Sequence, residues 1–491
     1  MKIIHSAIAG LSPRARALVA GIYSANTSGQ FIPGSVFEYA PFPVETVDEP
    51  HNLYMPQSPA SRNTSIKRQY KKQLESLKEK TVAQTIEGGP DQVFELRKVT
   101  LMAEMLLRNG LRDEGTDLLR RLIVVSEELE LFSERSQLYT LADSYNLHFG
   151  GIHGKTYRQE IAHDLHIYQQ SVGLVAVFIS GRYAAFPLQE LKKYEKSIEQ
   201  LNQNYEQSGL SRIGYFYHYA SLCYAMAGDN FKAAIFHGEL LIALVQKNPR
   251  IFSIFQTGEV TRLLAASYLA RNNVKKALAK ANEAVKHSVK HTAGHAHSLE
   301  MLFCVLFNSK QFSALPEIVG KIKRSNYLKR DRQSAARWRL RIAYMHFCKG
   351  YYTEALRQLK DTCCLPREDT EWVIYSQLLE AMCRIELGQH EWFPIRAEAL
   401  RKCIYRYENK NKHKRNGRLV LIYRLIRQLH TNGLDYSLLV EEEHDAFELL
   451  ASSEGNFFCN PSGPEILRFE EWVHMKARKQ GLNRKGKRLV T

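Results

Sequence analysis

Apolar residues recur at intervals of three and four along most of the chain. That period turns one face of a helix toward a core. Leu263, Leu264, Ser267, Tyr268 and Ala270 carry it clearly. Residues 215–287 read as two successive helix–turn–helix units, with small residues where the helices must approach each other. Each unit would leave an apolar face bare if it stood alone, so neighbouring units have to cover it. Turn signals then recur at Gly228, Asn272, Ser309, Gly350, Gly388 and Asn432, in steps of 44, 37, 41, 38 and 44 residues. A step near 40 is one two-helix unit with slightly long helices.

The rest of the chain extends this pattern. Ser12-Pro13 starts a helix, since serine caps free N–H groups and proline loses nothing at the first helical position. Residues 28–66 hold Pro33, Pro41, Pro43, Pro50, Pro56 and Pro59, a density that denies a helix its donors. Helical patterning resumes near Ser65, breaks at Gly88-Gly89-Pro90, and forms a hairpin turning at Asn109-Gly110. A further pair of helices is split by Gly150-Gly151, and one more leads into the clearest units. After the break Asn-Pro-Ser-Gly-Pro-Glu at 460–465, residues 465–480 read as a capping helix, followed by a basic tail. The expected domains are an N-terminal helix (1–27), a Pro-rich loop or linker (28–66), a helical repeat domain (67–450), and a capping helix with basic tail (451–491).

These residues resemble the tetratricopeptide repeat family. Leu264, Ala265 and Tyr268, followed by Val274, Ala277 and Ala284, match the family's large–small–aromatic–small order. A second unit has Ile342, Ala343, Tyr352 and Ala355; a third has Met102, Ala103 and Gly115. Ala220, Ser221, Tyr224 and Gly228 open a fourth, which needs one extra residue before Ala233-Ala234. The period exceeds the family's, the tryptophan position is not kept, and most units lack the closing proline, so the repeats are degenerate. The resemblance covers roughly Gln92 to Leu450. It implies an all-α superhelix (α-solenoid) that binds peptides or proteins on its concave face without catalysis.

Charge adds a bias. The 491-residue chain carries a formal +17, which favours acidic partners or nucleic acid. From Ser309 to His430, 26 Lys and Arg stand against 12 Asp and Glu, a net +14. One basic run holds Lys321, Lys323, Arg324, Lys329, Arg330, Arg337, Arg339 and Arg341, interleaved with Tyr327 and Trp338; a second holds Lys412, Lys414 and Arg415. If consecutive repeats bring these to one face, the result is a positive groove for an acidic protein or peptide. The same groove would neutralise phosphates, and its aromatics would stack bases.

Other chemistry is thinly represented. GGIHGKT at 150–156 lacks the first glycine of a phosphate-binding loop, since residue 149 is Phe149. His287, His291 and His295 recur every four residues, so a continuous helix would offer one face to a metal; Gly294 weakens that helix, and an inter-repeat turn is the plainer expectation. Glu441-Glu442-Glu443-His444-Asp445 reads as a solvated charge run. The eight cysteines, including vicinal Cys363-Cys364, lack a CxxC spacing and read as reduced thiols. No signal peptide and no membrane span are expected. The resulting expectation is a cytoplasmic, non-catalytic interaction scaffold with no cofactor and no metal site.

Overall fold

The computed structural model describes residues 92–108, 110–147, 154–179, 192–325, 327–360, 370–389, 391–410, 417–452 and 457–488. The expected helices before Gln92, the 28–66 segment, Gly150-Gly151, Cys363-Cys364, Lys412, Lys414 and Arg415 lie outside the described residues. Every regular element among those described is a helix. The chain divides into two compact units, Met1–Ile152 and His153–Thr491; the single 67–450 domain expected from the sequence spans both.

The first unit contains α1 (Gln92–Arg108), α2 (Arg112–Glu128) and α3 (Phe132–Ser144). Leu96, Val99, Ala103, Leu118, Leu119, Leu122 and Leu138 meet in its core. A Cβ on Gly115 would lie 2.7 Å from the Leu107 side chain, so a glycine is what lets α1 and α2 close.

The second unit begins with α4 (Gly154–Ile179) and α5 (Glu195–Ser208). Pairs follow: α6 (Ser211–Ala227) with α7 (Phe231–Lys247), α8 (Ile254–Ala270) with α9 (Val274–Lys286), and α10 (Ala293–Asn308) with α11 (Leu315–Lys323). The short α12 (Tyr327–Arg330) precedes α13 (Arg332–Cys348) with α14 (Tyr352–Leu359), α15 (Thr370–Glu386) with α16 (Trp392–Lys410), and α17 (Gly417–Thr431) with α18 (Tyr436–Glu442). The chain closes with α19 (His444–Ala451) and α20 (Phe469–Arg488). Consecutive helices pack on each other, and first helices also touch across pairs: α8 on α10, and α13 on α15. This is a tetratricopeptide-like helical repeat. One continuous core runs through it from Val175 to Val473.

The turns read at Gly228, Asn272, Ser309, Gly350 and Gly388 are present in one form, and the turn near Asn432 adds a second left-handed residue, Leu434. Asp229, Asn272, Lys310, Gly350, Gly388 and Gly433 all have left-handed φ. Behind them the same backbone bond recurs: Asn230 N to Ala225 O, Asn273 N to Tyr268 O, Gln311 N to Leu306 O, Tyr351 N to His346 O and Gln389 N to Arg384 O, all 2.8–2.9 Å. This six-residue closure satisfies carbonyls that a helix end leaves open. Asn230 and Asn273 then cap the second helices by accepting from the backbone N–H three residues on. Ser253 and Gln256 form a capping box at the start of α8.

Many of the positions that carry the family resemblance are packed. Leu264, Ala265, Ala277, Ala284, Ala343 and Ala355 are fully buried. The Tyr268 hydroxyl donates to Glu239 of the preceding α7 at 2.7 Å, and the Tyr224 hydroxyl donates to Glu195 of the preceding α5 at 2.5 Å. One repeat is thus tied to the next at equivalent places.

Between α6 and α7, His218 and His237 bring their Nδ1 atoms to 3.2 Å. One must donate and the other accept, so at least the accepting ring must be neutral and the two cannot both be protonated. Burial, then the charge of His237, pushes His218 down to about 4 from the ordinary 6.5. Between those pH values the unfolded chain binds a proton that the folded chain refuses. Stability is therefore full above pH 6.5, falls as pH drops, and levels off below about 4. Partial solvent screening leaves about 2 kcal/mol across that window. Urea midpoints of wild type and His218→Gln, followed from pH 7 to pH 4, should converge as the pH falls; parallel curves would contradict this.

Candidate binding groove on the first helices

Charged and aromatic residues at helical spacing mark one stripe on the first helices. Glu259 and Arg262 lie one turn apart on α8, as do His297 and Glu300 on α10 and Arg337 and Arg341 on α13, while Trp372 starts α15. The Arg262 guanidinium bonds Glu259 at 2.5 and 3.1 Å. Arg341 reaches from α13 to Glu300 of α10 at 3.3 Å. The guanidinium carbons of Arg337 and Arg341 lie 5.1 and 5.0 Å from the Trp372 ring centroid, a cation–π arrangement. The stripe thus runs over four consecutive first helices.

Its electrostatics are mixed. Burial works to raise the Glu259 carboxyl, but Arg262 and then His297 override it and hold it below the usual range. Burial lowers His297, with Arg262 acting in the same direction against Glu300 and Glu259. Glu259, Arg262 and Glu300 still reach solvent, with side chains 26%, 22% and 20% exposed. Alternating donors and acceptors along one row of helices can pair with the N–H and C=O groups of a peptide backbone.

Part of the row is already occupied by the chain itself. Residues 457–468 form a strap that crosses it. Arg341 donates to the carbonyls of Ser462 and Gly463 at 2.6 and 2.5 Å. Asn308, at the end of α10, donates to the carbonyl of Pro461 at 3.3 Å. The Phe458 ring lies 5.4 Å from Phe231 at the start of α7. At the other end Arg418 of α17 holds Glu465 through two bonds of 2.6 and 2.8 Å, Glu470 at 2.6 Å and the carbonyl of Leu450 at 2.6 Å. The strap leads into α20, where Glu465 accepts from the Phe469 N–H at 2.9 Å. Because Arg418 fixes Glu465, α20 starts at Phe469 rather than at residue 465. It then runs past Gln480 into the basic tail.

The basic residues singled out in the sequence separate in space. Arg341 is fully buried and fastens the strap, so it does not belong to an exposed positive face. Arg337 is half-buried on the stripe, and Arg339 is half-buried on α13. Lys321 is exposed and paired with Glu317 at 2.7 Å, one turn earlier on α11. Lys323, Arg324 and Lys329 are exposed at the end of α11 and on α12, and Arg330 ends α12. Among the described residues, Arg341 is internal and paired with Glu300, while Lys321, Lys323, Arg324 and Lys329 stay exposed.

The histidine spacing does not lie on one helix. His287 caps the end of α9, His291 sits in the following turn with φ of +66°, and His295 and His297 belong to α10. Ser288 meets His295 at 2.8 Å in that turn. Gly154 opens α4, and the regular element before it is the helix α3, where a phosphate-binding loop requires a strand.

Glu259, Arg262, Glu300, Trp372 and Asn308 were not singled out in the sequence. The signal that could have found them is a charged or aromatic residue inside an apolar first helix, aligned at the same height from repeat to repeat.

No protein family matches the sequence, and no curated protein matches it. Among solved structures, a Rap protein complexed with competence and sporulation factor is 14% identical, with a TM-score of 0.43, over 80% of this chain and 98% of that one. The TPR domain of P58(IPK) is 11% identical, with a TM-score of 0.21, over 78% of this chain and 99% of that one. Among the described residues no helix is long and apolar enough to cross a membrane.

Proposed function

We propose that the second unit is a non-catalytic scaffold that binds an extended peptide or protein segment along the first helices. The open stripe from Glu259 to Trp372 would supply the contacts. The observation that carries this reading is the strap: the row already accommodates a non-helical segment of the chain, with arginine and asparagine donors reading the carbonyls of its turn. Arg262, Arg337 and the exposed lysines beyond them bias the choice toward acidic segments in a cytoplasmic setting. Nucleic acid is the second reading, favoured by the exposure of Lys323, Arg324 and Lys329 without an acidic partner among the described residues.

An array of synthetic acidic and basic peptides, with random single-stranded RNA alongside, separates the two. The acidic set should bind, and Arg262→Glu with Arg337→Glu should weaken it about tenfold. Unchanged affinity in that double variant would remove the stripe as the site. RNA binding that falls steeply with salt, and is lost on changing Lys323, Arg324 and Lys329, would instead support the second reading.

A further inference from the structure

A separate cleft opens where α16 and α17 meet the junction of α18 and α19. It has a volume of about 1090 Å³, room for about two turns of a helix with its side chains. Its floor is apolar and open to solvent: Tyr405, Val420 and Leu449 are 63%, 47% and 45% exposed. Three large apolar side chains left open along one cleft mark an interaction surface.

The rim is acidic in a chain that is otherwise basic. Glu441, Glu442, Glu443 and Asp445 line one side. The basic groups on the other side are already engaged. Arg424 bonds Glu443 at 2.5 Å, and Arg401 grips Glu398 through two bonds of 2.8 Å. Glu442 accepts from Gln428 and Asn432 at 3.2 and 3.0 Å. Among the described residues, no Arg or Lys pairs with Glu441, Asp445 or Glu448. The side chain of Asp445 is fully exposed and that of Glu448 is 70% exposed. Among the described residues the cleft therefore offers apolar contact at its base and, at its edge, carboxylates with no Arg or Lys partner.

We infer that this cleft docks an amphipathic helical segment of a partner protein, with leucine-like side chains on Tyr405, Val420 and Leu449 and Lys or Arg beside Glu441 and Asp445. This partner has the opposite charge preference from the ligand of the first-helix stripe. One chain would then join an acidic segment to a basic one.

The probe is a fluorescein-labelled peptide of Leu and Lys at helical period, titrated against the full chain by anisotropy. A Leu and Glu peptide of the same pattern is the control. The Lys peptide should bind and the Glu peptide should not. Glu441→Lys with Asp445→Lys, and separately Leu449→Asp, should each weaken the Lys peptide about tenfold, with the helical circular dichroism of wild type. Arg262→Glu with Arg337→Glu should leave it unchanged, which keeps this site distinct from the stripe. Affinities within about twofold of wild type in both cleft variants, or equal binding of the Glu peptide, would overturn the inference.

Discussion

Replacing Arg418 with Ala is expected to destabilise the second unit by about 3–5 kcal/mol, the cost of breaking a buried ion pair from one side. Arg418 is 1% exposed. Its guanidinium satisfies two carboxylates and the carbonyl of Leu450 at once. Its removal leaves Glu465 and Glu470 buried without their cation. Burial, followed by the charge of Glu465, already raises the Glu470 carboxyl against the pull of Arg418. The damage comes from the stranded carboxylates rather than from lost attraction. A triple variant, Arg418→Met with Glu465→Met and Glu470→Leu, should therefore recover most of the loss. All four tryptophans, at 338, 372, 392 and 472, lie in this unit, so urea unfolding followed by tryptophan fluorescence reads it alone. A single variant as stable as wild type would show that the strap is not held through Arg418.

Trp472→Ala should cost a similar amount, about 3–5 kcal/mol, through the cavity it leaves. Trp472 is 1% exposed. Its ring lies 5.6 Å from Tyr436, 5.6 Å from Phe469 and 6.2 Å from Phe347. Its Nε1 donates to Glu386 at 2.8 Å, and Lys476 also pairs with that carboxylate. The ring thus pins α20 against α13, α15 and α18 together. Trp472→Phe keeps much of the packing but removes one donor to Glu386, so it should cost less than the alanine variant. If both variants unfold at the wild-type midpoint, α20 is an appendage and not part of the core.

The architecture was legible because its determinants are local. A left-handed residue flanked by helical periodicity announces a turn, and Asp229, Asn272 and Gly350 are residues that tolerate that conformation. Small residues such as Ala265 and Ala277 announce a close helix pair. The groove was much less legible. Arg337 and Arg341 sit four residues apart and look alike in a basic run, yet one edges the open stripe and the other is buried under the strap. What separates them is the carbonyls of Ser462 and Gly463, 121 and 122 residues further on. Asn-Pro-Ser-Gly-Pro-Glu reads locally as a break before a helix. Only the position of Arg341 and Arg418 on distant helices turns that break into a strap. Clusters defined by sequence proximity, such as the histidines from His287 to His297, fail for the same reason: the turn at His291 divides them.

Hydrogen–deuterium exchange across residues 459–468 tests most directly whether the first helices hold the strap. Seated as described, with Cys459, Pro461 and Glu465 buried, the amides of Ser462 and Gly463, which donate to Asn460 at 3.0 and 2.8 Å, should exchange well below the rate of an unfolded chain. Exchange at the rate of an unfolded chain, while α13 and α17 remain protected, would contradict the account.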